Sequence, residues 1–132
     1  MTRAEELLAL AAKVEALSGP DRRVDGDIYC ALGLAAFVED AFDAYRAPAY
    51  TASLDAAMTV GGGNTTLLHL SELGDDNCAL ARVGCHLLPD APVFEGRALE
   101  AAVCIDALAD LAIATTAANL RALAALETGA TA

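Results

Sequence analysis

The C-terminal part of the chain constrains the fold most. From Ala98 to Leu126 the sequence is almost continuously apolar and rich in alanine. Leu99, Ala102, Val103, Ile105, Leu108 and Leu111 recur at helical spacing from Arg97 onward, and Ile113 to Leu126 extends the stripe. Alanine favours helix strongly but buries little area per residue. Such a stripe reads as core or as a subunit interface, and a chain built this way needs a partner copy to bury enough apolar surface. A break is expected near Thr115-Thr116, and residues 127–132 read as a frayed tail. Glu100, Asp106, Asp110, Asn119 and Arg121 interrupt the run, so it does not read as a membrane span.

Upstream, Thr2 with Glu5 forms a capping box for a first helix over Arg3 to Leu17. Gly19-Pro20 punctuates it. Ser18, with Asp21 three residues on, is expected to cap a second helix that Gly33 stops. Leu34 to Tyr45 reads as a short third helix, and Leu54 to Val60 as a fourth, capped by Ser53 or Thr51 and ended by Gly61-Gly62-Gly63-Asn64. Thr65 to Ser71 and Cys78 to Leu88 read as strands around a turn at Gly74 to Asn77. Pro89 to Pro92 is a further turn, and Val93-Phe94 starts a short third strand. The expected class is therefore α/β of the α+β kind, a small antiparallel-containing sheet with helices on both faces, in one domain spanning residues 1–132.

Charge narrows the partners. With 8 Lys+Arg against 19 Asp+Glu the formal net charge is -11. That argues against DNA or RNA, whose backbones need a cationic surface, and against anionic membranes. The N-terminus lacks a signal-peptide pattern, so the expected location is cytoplasmic, with Cys30, Cys78, Cys85 and Cys104 as reduced thiols. Their spacing fits neither CxxC nor a zinc finger, and no cofactor or metal is expected.

Two groups of residues carry candidate chemistry. Tyr50, Thr51 and Ser53 stand at a helix start, where hydroxyls and free amides hold a phosphate or carboxylate, or simply cap the helix. Asp55 already supplies negative charge there. Strand alternation places Cys78, Leu80, Arg82, Gly84 and His86 on one face, and Thr65, Leu67 and His69 on one face of the neighbouring strand. If the faces coincide, Arg82, His69 and His86 converge as a phosphate site or an acid–base pair; the plainer reading is a solvated strand face.

Three segments carry a family resemblance. Ser18-Gly19-Pro20-Asp21-Arg22 followed by Ile28 to Gly33, then Pro48 to Ala57, then Ala101 to Leu108, resemble in order and spacing the phage ABA sandwich domain family. The resemblance covers roughly residues 5 to 109. It implies a sheet with helices on both faces, in small proteins of phages and prophages without an established activity. It brings no catalytic residues.

The resulting expectation is a non-enzymatic, phage-type binding module that self-associates as a homo-oligomer in the host cell cytoplasm. One version is a counter-defence sponge for a small nucleotide, held by Arg82, His69, His86 and Arg97 with Tyr50 stacked on the base. The alternatives are an acidic adaptor or inhibitor that docks a host protein, and a small hydrolase using His69 or His86.

Overall fold

The computed structural model describes residues 2–17, 19–33, 47–71, 79–98 and 107–129. In chain order they form α1 (Arg3–Glu15), α2 (Arg22–Ala31), α3 (Leu54–Thr59), β1 (Thr66–Ser71), β2 (Ala79–Gly84), β3 (Val93–Ala98) and α4 (Ala107–Gly129). The mixed class expected from the sequence is the observed one, with helices packed against an antiparallel sheet of order β1-β2-β3.

α4 is the centre of the molecule. Every residue from Leu111 to Leu120 is buried, as are Ala122 and Ala124. α1, α3 and the sheet all pack on it. From Leu111 to Ala124 the apolar run is thus largely consumed as core within the chain. Small residues on both sides allow this: the sheet meets α4 with Ala79, Ala81, Val83, Gly96 and Ala98. At Gly96 the main chains approach so closely that an added Cβ would overlap the Ala114 carbonyl oxygen and the Ala118 nitrogen. Close approach multiplies dispersion contacts, which offsets the small area each alanine buries.

The other helices form where their caps place them. Thr2 accepts from the Glu5 amide, and Glu5 returns a carboxylate to the Thr2 amide. α1 then buries Ala4, Leu7, Ala11 and Val14 at helical spacing. α2 is capped by Asp21, not by Ser18: the Asp21 carboxylate accepts from the Arg23 and Val24 amides. The helix begins at Arg22, the first residue read as helical, but its cap is Asp21, whose carboxylate alone satisfies both first-turn donors; Ser18 lies outside the described residues. Gly33 follows α2 with φ of 78°, the left-handed stop expected of it. Ser53 caps α3.

Three boundaries differ from the sequence reading. β2 stops at Gly84 instead of reaching Leu88, because the Cys85 amide bonds the Pro92 carbonyl and closes a loop whose Asp90 and Ala91 have positive φ. Arg97 lies in β3, not at the start of a helix. Its strand alternates faithfully, but the inward positions are Phe94, Gly96 and Ala98, and two of those carry almost no apolar signal. Finally, α4 runs unbroken through Thr115-Thr116 and continues to Gly129. The propensity cost of two threonines is about 1 kcal/mol in total. Both are fully buried; the Thr116 hydroxyl donates to the Tyr50 carbonyl, while the Thr115 hydroxyl is buried with no partner among the described residues and adds a cost that the surrounding packing must offset. The helix expected over 34–45, the turn at 74–77, and Cys78 and Cys104 lie outside the described residues.

Candidate functional site: the open face of the sheet

Cross-strand pairing decides which polar residues meet. Ala81 pairs with Gly96 and Val83 with Phe94 on the side that packs on α4. The intervening residues Arg82, Val93, Glu95 and Arg97 are exposed on the opposite side. Among the described residues no helix covers that second face. β1 joins it with a register shift between Leu67 and His69, which leaves Leu68 as an extra, bulged residue. The bulge switches parity, so Leu67 pairs with the inward Val83 while His69 pairs with the outward Arg82. Leu67 and His69 therefore do not share a face, as unbroken alternation required.

The consequence is a row across the sheet. His69 stands opposite Arg82, and Arg82 stands opposite Glu95. The Arg82 Nε donates to Glu95 at 2.9 Å, and Arg97 approaches the other Glu95 oxygen at 3.8 Å. Both guanidinium groups are about half exposed, so this pairing orients them and contributes on the order of 0–1 kcal/mol. One end of the face is apolar: Leu68 (57% exposed) lies over Gly84, and Val93 (51% exposed) pairs with Gly84. Large aliphatic side chains left this open beside an ion pair make a flat surface of mixed character.

Of the residues expected to share a site, His69, Arg82 and Arg97 come together on this face. His86 does not join the row, since it lies in the exposed loop after β2. Tyr50, Thr51 and Ser53 are elsewhere. Ser53 caps the six-residue α3, and Tyr50 and Thr51 are fully buried. Glu95, which holds Arg82, escaped the sequence reading because only the start of β3, Val93-Phe94, was read and the pattern from Arg97 onward was taken as helical.

Thr51 belongs to a second polar cluster that the sequence reading missed. Its amide and its hydroxyl both donate to Asp25 Oδ1, at 2.9 and 2.8 Å. The Asp21 amide donates to the Thr51 hydroxyl oxygen at 2.9 Å. Arg22 donates to Asp25 Oδ2 at 3.1 Å and to the Ala47 carbonyl at 2.7 Å. Asp25 is completely buried, and burial raises its pKa above the ordinary carboxylate value against the lowering effect of Thr51 and Arg22. The signal available was positional: Asp25 sits beside Val24 and three residues before Ile28, on the apolar stripe of α2. Both Asp25 oxygens and the Thr51 amide and hydroxyl are engaged within the chain, so this cluster pins the 47–53 segment to α2.

Burial also governs Tyr50, whose phenol is pushed up to about 12, with the Tyr29 and Asp25 charges adding to the effect. The unfolded chain ionises this tyrosine near pH 10. The folded chain therefore holds the proton between about pH 10 and 12, and stability falls by about 2–3 kcal/mol as pH rises through that window. Phenolate absorbance should show one tyrosine ionising only as helical circular dichroism is lost. Tyr50→Phe should remove that step. A Tyr50 that ionises near pH 10 with the fold intact would contradict its burial.

Among the described residues, two of the surface grooves lie away from the sheet row. The larger, about 440 Å³, runs between α1 and α2 past the Lys13–Asp27 ion pair. The smaller, about 260 Å³, lies by Leu8, Phe94 and Arg121. Neither includes His69, Arg82 or Glu95. Among the described residues no three His, Cys, Asp or Glu side chains converge as metal ligands, and no helix is long and apolar enough to cross a membrane. No family model, curated protein or solved structure matches the chain.

Proposed function

We propose that the chain is a non-enzymatic binding module that self-associates and docks a protein surface through the open face of its sheet. The observation that carries this reading is the His69–Arg82–Glu95 row beside exposed Leu68 and Val93. Small-molecule sites are concave and enclosing. This face is a strand surface on which both charge signs and aliphatic groups lie side by side, as at the contact surfaces of proteins. The resemblance to phage ABA sandwich domains supplies the setting, a host-interaction or counter-defence role.

A second reading keeps the nucleotide. Arg82 offers a forked donor to phosphate, with His69 opposite it in the pairing register. In this version a phosphate displaces Glu95, and Tyr50, being buried, takes no part.

Native mass spectrometry with sedimentation on the purified chain separates the readings. An oligomer free of adducts, unmoved by added nucleotides, is expected. Because each copy carries a formal charge of -11, raising salt from about 0.05 to 0.5 M should strengthen self-association by screening repulsion. A nucleotide adduct that Arg82→Ala abolishes, with the oligomer intact, would put the second reading first. A monomer without adduct at every salt and protein concentration overturns both.

A further inference from the structure

The two outer edges of the sheet are treated differently. On β3 two of the outward main-chain groups are taken by side chains from the helices. The Arg97 amide donates to Glu15, and the Glu95 carbonyl accepts from Arg121, both at 2.7 Å. Glu15 and Arg121 are themselves an ion pair, half-buried between α1 and α4. A strand cannot add there without breaking that clamp. Exposed edges are otherwise ready templates for another strand.

Among the described residues the opposite edge, β1, has no such clamp. Because Glu95 and Arg97 point their main-chain groups outward, ladder alternation sends those of Leu80 and Arg82 toward β1. Leu67 and Leu70, which pair with Val83 and Ala81, therefore turn theirs away from β2. Among the described residues neither has a main-chain partner on that side.

We propose that the outer edge of β1 pairs antiparallel with the same edge of a second copy, fusing two three-stranded sheets into one of six strands. This rests on the self-association reading and names its contact. Two observations commit the edge to its own copy. Charge is the first: the chain has 19 Asp+Glu, yet Thr66–Ser71 holds no carboxylate and no Lys or Arg. Two copies of charge -11 come together with least repulsion along such a strand. Spacing is the second. The bulge at Leu68 sets the outward groups three residues apart, at Leu67 and Leu70, where a regular strand has them two apart. A regular strand matches only one of these positions. A second β1 related by a twofold axis matches both, with Leu67 of each copy opposite Leu70 of the other.

The test is amide hydrogen exchange of the full chain, resolved by residue, at dilute and concentrated protein, beside sedimentation of the same samples. At concentrations where the oligomer forms, the Leu67 and Leu70 amides should slow by about tenfold or more, while the Arg97 amide, already bonded to Glu15, stays unchanged. The double variant Thr66→Lys, Leu68→Lys changes two exposed side chains and should return the protein to monomer, with α4 amide protection reporting that the fold survives. An oligomer whose Leu67 and Leu70 exchange is independent of concentration overturns the edge pairing and leaves self-association standing. A monomer at all concentrations removes both.

Discussion

Gly96→Ala is expected to destabilise the protein by about 3 kcal/mol or more, although it adds one methyl group. The new Cβ would overlap the Ala114 carbonyl oxygen and the Ala118 nitrogen, which are main-chain atoms of α4 and cannot rotate aside. The sheet must therefore move off the helix. In doing so it loosens the contacts of Ala79, Ala81 and Ala98 as well, since these share the inward face with Gly96. Large side chains could re-pack around such a shift, but alanines have no rotamers with which to follow it. In thermal denaturation the midpoint should fall by roughly 10 °C. Gly63→Ala is the control: nothing lies within 4 Å of its added Cβ, and its cost should stay below about 1 kcal/mol. A loss at Gly96 as small as that at Gly63 would mean that α4 slides on the sheet, and that the close main-chain approach does not hold the core together.

The same contact explains which parts of the fold were legible in the sequence. α1 was read correctly in place and cap because Thr2, Glu5 and the leucines each give a strong local signal. β3 was read only at its start, Val93-Phe94, because a strand that lies main chain against main chain must present Gly96 and Ala98 inward, and such residues read as turn or helix. The feature that allows the helix to be buried on every side is the feature that hides the strand beneath it. The site shows a similar division. Alternation brought His69 and Arg82 together correctly, but only because the bulge at Leu68 restored His69 to the outer face. A bulge inserts a residue without altering composition, so no periodic signal reports it. Glu95 was invisible as a partner because β3 was read only at its start and Arg97 was assigned to a helix. Tyr50 and Thr51 look like a helix start offering donors to a ligand; the contacts that turn them inward come from Asp25 and Thr116, far along the chain.

Asp25→Ala is expected to cost about 3 kcal/mol, the second large effect. The substitution removes the acceptor of the Thr51 amide and hydroxyl in a place sealed from water, and leaves Arg22 holding only the Ala47 carbonyl among the partners described above. The segment from Ala47 to Ser53 then loses its anchor on α2, while the Thr116 hydroxyl still ties Tyr50 to α4. Asp25→Asn keeps one acceptor oxygen and should cost less. It also isolates the charge. In the folded chain the pKa of Asp25 lies above 3.8, with burial as the largest cause, so the native state binds this proton more readily than the unfolded chain does. Its contribution is then most favourable below pH 3.8 and declines as pH rises through the folded value. The stability of wild type relative to the Asn variant should fall as pH is raised from about 3 to 7, opposite in sign to a carboxylate whose pKa is depressed by a surface ion pair. Urea denaturation of both proteins across that range measures the difference. A difference that grows with pH would mean that Thr51 and Arg22 hold the carboxylate charged more strongly than burial opposes it. The junction would then be an ion pair that stabilises the fold by its charge. A falling difference makes it a point where the chain accepts a buried carboxylate in order to fix one loop on α2.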